Sequence, residues 1–243
     1  MKGIPNGPIL RGGIIAAGEG SRLRADGWRV SKPMVPVLGR PLIEHTLDRF
    51  RTAGIRCLTI IINEMSDDCR RWLQDRAGEL DIDLIIRSTP SSYASFRIVA
   101  ERLSGSPVII TTVDSIMPQN DFLGFVTAAA DFPQDAVVLG LTEYVDDEKP
   151  LWVSLDPGDG RIRRIGADDG SHVTAGLYVL PARRPAEPAA GFARLRDYLA
   201  WLITDGHPVY GIILSRAFDI DRGHDIAAAE QMISGNECTS NTI

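Results

Sequence analysis

The sequence predicts an α/β protein: a single three-layer α/β/α domain built on a mixed, mostly parallel sheet. Three observations carry that expectation. The 243 residues, 44% hydrophobic and 24% charged, suffice for one sizeable core of ordinary globular composition. In the first half, short apolar runs alternate with amphipathic stretches of helical length, the pattern of parallel crossover units. In the second half the apolar runs continue without long helices between them, which extends the sheet with mixed or antiparallel strands.

Gly12 to Ala17 (GGIIAA) reads as a buried strand running into a glycine turn. Pro41 to Ala53 reads as a helix, with Leu42, Ile43, Leu47 and Phe50 near helical spacing and the proline suited to its first turn. Leu58 to Ile62 is a strand and Ser66 to Gly78 a second helix. Strands at Ile82 to Ile86 and Val108 to Val113 flank a third helix at Tyr93 to Leu103. Further strands are expected at Ala136 to Leu141, Leu151 to Leu155, Ile162 to Ile165 and Thr174 to Leu180, with turn composition at Asp156-Pro157-Gly158-Asp159-Gly160. A helix at Phe192 to Thr204, a strand at Val209 to Leu214 and a closing helix at Ile226 to Ile233 complete one domain, 1–233. Residues 234–243 read as a polar, frayed tail.

The formal net charge of −6 argues against non-specific nucleic-acid binding, which needs a basic surface to replace phosphate counterions. A small anionic substrate needs only a few local cations. Three cysteines, Cys57, Cys69 and Cys238, are odd in number and lack CxxC spacing, so neither a disulfide framework nor a structural zinc site is expected. Met1 to Arg11 lacks the apolar stretch of a signal peptide, and no window approaches the roughly 18 apolar residues of a membrane span. The expected location is the cytoplasm. The stretch Phe192 to Ile203 could face a second subunit in a homo-oligomer, although a core helix is the preferred reading.

The most informative stretch is Gly13-Ile-Ile-Ala-Ala-Gly18-Glu-Gly20-Ser-Arg22-Leu23. A dinucleotide fingerprint fails because the third glycine position is Leu23, and a P-loop fails because the lysine position is Glu19. What remains is G-x-G-x-R-L followed by Lys32-Pro33-Met34. Glycines let backbone N–H groups face an anion closely, Arg22 adds a planar charged fork for phosphate oxygens, and Lys32 adds a mobile point charge. A triphosphate needs that combination: donors along its length and cations where charge gathers.

The stretch GGIIAAGEGSRLRADGWRVSKPMVPVLGRPLIEHTL closely resembles the N-terminal signature of the sugar-phosphate nucleotidylyltransferases, the nucleoside diphosphate sugar pyrophosphorylases. The resemblance is strong over Gly12 to Ile62 and resumes at Thr111 to Met117, Ala175 to Leu180 and Phe218 to Glu230. It implies the nucleotide-diphospho-sugar transferase type of fold and a magnesium (Mg2+)-dependent transfer of a nucleoside monophosphate to a sugar 1-phosphate. It assigns Arg22 and the backbone of Gly18, Glu19, Gly20 and Ser21 to the leaving β- and γ-phosphates, and Lys32 to the α-phosphate or the developing pyrophosphate oxygen. Ala16, Ala17, Ser91 and Ser92, within Ile15 to Ala17 and Thr89 to Ser92, would border base and ribose.

Asp114 ends the apolar run Val108 to Val113, where the family carries a metal-binding aspartate; Val113 stands where a glycine is usual. The second metal ligand falls within Phe218-Asp-Ile-Asp-Arg-Gly-His-Asp225, where Asp219 is preferred by its offset from Asp225-Ile226. Asp221 is expected to face the other side of the chain and cap the following turn, with Asp225 an N-cap for the last helix. His45, His172, His207 and His224 read as structural.

The family's acceptor-holding Glu-Lys pair has no match at its usual place after Ile165, where Gly166-Ala167-Asp168 stands. Lys149, or Arg163, Arg164 or Arg183, would supply that cation. Two rivals remain open: a cytidylyltransferase acting on an amino alcohol or polyol phosphate, and a nucleotide-binding regulatory module without catalysis.

Overall fold

The computed structural model describes residues 8–76, 80–145, 150–166 and 170–239. In chain order its elements are β1 (Arg11–Ala16), α1 (Ser21–Ala25), a 3-10 turn (Lys32–Met34), β2 (Pro36–Val37), β3 (Arg40–Pro41), α2 (Leu42–Thr52), β4 (Cys57–Ile62), α3 (Asp67–Arg76), β5 (Asp81–Ile86) and α4 (Ser92–Arg102). They continue with β6 (Val108–Thr112), β7 (Ser115–Ile116), α5 (Gln119–Ala129), β8 (Val137–Thr142), β9 (Trp152–Leu155), β10 (Ile162–Ile165), β11 (His172–Leu180), α6 (Leu195–Thr204), β12 (Val209–Ile213), β13 (Phe218–Asp219) and α7 (Gly223–Thr239).

The expected mixed, mostly parallel sheet is present. Strands β6, β1, β4 and β5 lie side by side in parallel register. Strand β11 runs antiparallel to β6 and carries the extension, pairing with both β8 and β9; β12 then lies parallel to β8 and β10 antiparallel to β9. Side chains alternate along a strand, so β1 feeds two cores at once. Ile14 and Ala16 join Phe50, Phe122 and Phe125 on one face, while Ile15 and Ala17 join Tyr93, Phe96 and Tyr198 on the other. Such two-sided burial is why these strands read as continuous apolar runs.

Two departures from the sequence expectation are structural findings. Helix α5 has no counterpart in it, although Pro118 precedes the helix and Phe122, Phe125 and Ala129 bury one face of it at helical spacing. Helix α7 begins ahead of Ile226 and continues to Thr239, into the stretch expected as a frayed tail. No helix among the described residues is long and apolar enough to cross a membrane.

The sheet brings the carboxyl ends of β1 and β6 together, because β1 and β6 are parallel neighbours. The segments that follow those strands therefore meet at one edge of the sheet, where ligands bind in open α/β folds.

Candidate active site

The chain leaving β1 turns at Gly20, whose φ of 60° lies in the left-handed region that favours glycine. A Cβ at that position would stand 3.0 Å from Lys32 Cβ, so the glycine also lets the Lys32 segment lie against the loop. Arg22 projects from α1 and Lys32 from the start of the 3-10 turn. Asp114 follows β6 directly, and the Ile220 N–H donates to the Asp114 carbonyl at 3.0 Å, which draws the β13 segment and Asp221 towards it.

These groups close on one another. The Lys32 ammonium lies 2.5 Å from Asp114 Oδ2 and 2.6 Å from Asp221 Oδ1, and Arg22 Nη1 donates to Asp221 Oδ2 at 2.8 Å. Lys32 is buried, with its side chain 9% exposed. Burial by itself would lower its pKa, but the charges and hydrogen bonds of Asp114 and Asp221 outweigh that and raise it above the usual lysine range. Asp114 answers in the opposite sense: burial pushes its carboxyl up, and the Lys32 ammonium holds it below the usual carboxylate range. Two acids and two bases thus balance within one cluster.

The cluster forms one wall of a cavity of about 440 Å³. Ala16, Ala17, Gly18, Glu19 and Gly20 line it along the β1 loop, and Ser21, Arg22 and Lys32 continue that wall. The opposite side is formed by Thr89, Pro90, Ser91 and Ser92 at the start of α4, where Ser91 Oγ accepts the Ala94 N–H and caps the helix. Asp114 and Asp221 complete it.

Asp114, Thr112 and Ser92 also border a second cavity, of about 290 Å³, so the two spaces share these three residues as lining. A bulge in β11 shapes this side. Its register with β8 shifts between Thr174 and Tyr178, and Gly176 there has φ 62°. A Cβ on Gly176 would stand 2.5 Å from Thr112 Oγ1. Asp219, Phe218, Tyr144 and Arg196 line the remainder. Burial, followed by the charges of Asp219 and Asp114, pushes the Tyr178 phenol on this wall above its usual range.

Every residue expected at the nucleotide side lines the first cavity. The two aspartates of the late motif divide differently from expectation. Asp219 sits opposite Ser115 in the β7–β13 pair and faces the second cavity. Asp221 does not cap the following turn: its carboxylate takes Lys32 and Arg22, and Asp225 Oδ2 accepts the N–H groups of Asp221 and Arg222 in its place. Residues two apart on a strand share a face, so alternation gives no ground for setting Asp221 opposite Asp219; β13 ends at Asp219, and Asp221 beyond it lines the first cavity while Asp219 lines the second.

Among the acceptor cations named from sequence, Arg163 is exposed and bound to Asp156, Arg164 is exposed on β10, and Arg183 lines a separate cavity with Pro107 and Pro208. Lys149 lies outside the described residues. Arg196, which sequence reasoning did not single out, lines the second cavity; its only local signal is its position between Arg194 and Asp197, which pair at the start of α6.

Among the described residues, no three His, Cys, Asp or Glu side chains gather as a metal site. The Asp114 and Asp221 oxygens hold the same ammonium, so they stand no farther apart than the sum of those two contacts. Magnesium, with oxygen ligands at about 2.0–2.1 Å and places kept for water and phosphate, fits such a two-carboxylate donor set.

A model of the MobA-like NTP transferase domain matches residues 12–218 of this chain. The chain is 27% identical over 202 residues to the CMP-5'-(3-aminopropyl)phosphonate synthase of Streptomyces rubellomurinus, a match covering 72% of this chain and 29% of that protein. It is 33% identical over 125 residues to the glucose-1-phosphate thymidylyltransferase of an Actinoplanes species, covering 50% of this chain and 41% of that protein. The match thus spans less than half the length of both relatives. Among solved structures, the inositol-1-phosphate CTP transferase from T. maritima superimposes with a TM-score of 0.75 at 18% identity, over 94% of this chain and 99% of that one.

Proposed function

Because the chain belongs to the family of MobA-like NTP transferase domains, we propose that it transfers a nucleoside monophosphate from a nucleoside triphosphate to a small phosphorylated acceptor, with sugar 1-phosphates as the first acceptor class. The observation that carries this reading is the meeting of the glycine loop, Arg22 and Lys32 with Asp114 and Asp221 in one cavity, with Asp114 also lining a second cavity.

In this reading the triphosphate lies along Gly18 to Ser21. Its phosphates compete with Asp221 for Arg22 and Lys32, which frees the Asp114 and Asp221 carboxylates. Asp114 and Asp221 would hold magnesium, which would supply positive charge to offset that of the phosphates. Lys32, permanently charged by its surroundings, stabilises charge as it moves towards the leaving group. An oxygen of the acceptor phosphate forms the new bond to the α-phosphorus. The bond from that phosphorus to the oxygen shared with the β-phosphate breaks, and its electron pair leaves on pyrophosphate. A phosphate monoester is mostly ionised at pH 7, its second pKa being about 6, so no general base is required. The second metal ligand, expected at Asp219, is assigned in this reading to Asp221, which shares a cation with Asp114.

A second reading, cytidylyl transfer to a polyol or amino alcohol phosphate or phosphonate, is favoured by the compact second cavity, walled partly by Leu151, Leu195, Leu199 and Phe218. The likeness to the aminopropylphosphonate and inositol-phosphate enzymes points the same way. The test is a screen of ATP, CTP, GTP, UTP and dTTP against glucose 1-phosphate, inositol 1-phosphate, phosphocholine and 3-aminopropylphosphonate, read by pyrophosphate release with magnesium. Release with a sugar phosphate supports the first reading, and release with CTP and a non-sugar acceptor supports the second. Nucleotide binding without release from any pair would replace both with a regulatory module.

A further inference from the structure

We propose that Arg196 anchors the phosphoryl group of the acceptor, a phosphate monoester or phosphonate, in the cavity beside Asp114. The inference rests on the nucleotidyltransferase reading and adds the residue that selects an anionic acceptor.

The cavity next to Asp114 on the side away from the glycine loop is where the attacking group must enter, because the loop side is filled by the triphosphate. Among the described residues lining it, the ionic side chains are two acids, Asp114 and Asp219, and one base, Arg196. An acceptor anion entering between two carboxylates meets repulsion that a single fixed guanidinium offsets. The guanidinium fork matches the geometry of phosphoryl oxygens, and its charge does not titrate near neutrality.

Helix α6 fixes the stem of that side chain. Leu195, Tyr198, Leu199 and Leu202 bury one face of the helix, and the Asp197 carboxylate accepts the Arg194 N–H to set its start. Arg196 therefore projects from a rigid first turn, where the positive end of the helix also favours an anion. Arg196 and Asp114 line the same cavity, of about 290 Å³, so a phosphoryl group held by Arg196 occupies the space that Asp114 borders. Arg163 and Arg183 lie elsewhere, and among the described residues lining this cavity Arg196 is the one cation.

Wild type, Arg196→Gln and Arg196→Lys are compared by pyrophosphate release with the four acceptors above, and by calorimetric affinity for the magnesium–nucleotide complex. For each acceptor that wild type uses, Arg196→Gln is expected to raise the acceptor KM about 10- to 100-fold, the range for losing a charge-assisted hydrogen bond. Arg196→Lys recovers part of that loss, and nucleotide affinity stays within about twofold in both. An unchanged acceptor KM in Arg196→Gln overturns the proposal. Should Arg196→Gln fail to melt cooperatively, Arg196→Lys decides, with a several-fold rise supporting the anchor and none overturning it. If wild type turns over no acceptor, the catalytic reading fails separately. The anchor is then read from 31P NMR titration of glucose 1-phosphate and phosphocholine into the nucleotide-loaded protein. Binding that is lost in Arg196→Gln supports it; binding that is equal in both proteins, or absent from wild type, overturns it.

Discussion

Replacing Lys32 by methionine isolates the electrostatic core of the site. Methionine keeps most of the stem and volume but removes an ammonium that lies 2.5 Å from Asp114 and 2.6 Å from Asp221. Removing one partner from a buried ion pair costs about 3–5 kcal/mol. The side chain of Asp221 is 42% exposed and keeps Arg22, so its share is screened. Asp114, 20% exposed, carries the penalty, and about 2–3 kcal/mol is expected at neutral pH. At about 2–4 °C per kcal/mol for a chain of this length, Tm falls by roughly 5–10 °C.

The pH dependence identifies the cause. In wild type, burial pushes the Asp114 carboxyl up, but Lys32 holds it below its unfolded value of about 3.9. Its contribution is present above that unfolded value and is lost as pH falls through the folded one. In Lys32→Met burial, the largest of the causes, meets only the hydrogen bonds of Thr112 and the backbone, so the folded pKa is expected above the unfolded one. The variant is then penalised above that raised value and recovers relative to wild type as pH falls through it. Thermal melts by circular dichroism, in EDTA at pH 7 and near pH 4, are expected to give a wide gap at pH 7 and a narrower one in acid. A gap of equal size at both pH values, or no gap at pH 7, refutes the account.

Three further outcomes follow from the same geometry. Arg22→Ala removes an exposed cation from the triphosphate wall; kcat/KM for the nucleotide is expected to fall about 100- to 1,000-fold with Tm nearly unchanged, measured by pyrophosphate release and melting. Asp114→Asn and Asp221→Asn are expected to raise the magnesium concentration needed for half-maximal rate at least about tenfold, while Asp219→Asn shifts chiefly the acceptor KM; metal titrations of initial rate distinguish the three. Gly20→Ala forces a left-handed residue at a cost of about 1–2 kcal/mol and presses on Lys32, so both a lower Tm and a higher nucleotide KM are expected.

Much of this site was legible in the chain itself. The turn after β1 required glycine at Gly20, and a polyphosphate reading followed from Arg22 and Lys32 at fixed offsets from it; both cations line the cavity that the loop forms. The Thr89 to Ser92 loop fell into the same cavity because β1 and β4 are parallel neighbours, as are β4 and β5, so their following loops share an edge. Local pattern gave less at α5, where the exposed Gly124 lowers helix propensity in a short segment, and at α7, whose polar end carries no apolar periodicity to mark it as helix.

The sequence by itself determined which segments form the strands of the central sheet, where the glycine loop bends, and which two cations flank it, because these depend on backbone sterics and on side-chain periodicity over a few residues. The tertiary structure alone decided that Asp221 rather than Asp219 shares Lys32 with Asp114, and that Arg196 borders the second cavity. Alternation along a strand says which side a residue faces, but not what the far side of the sheet brings to meet it. Those meetings depend on the antiparallel return of β11 beside β6, the bulge at Gly176 and the short β7–β13 pair, which join residues distant along the chain.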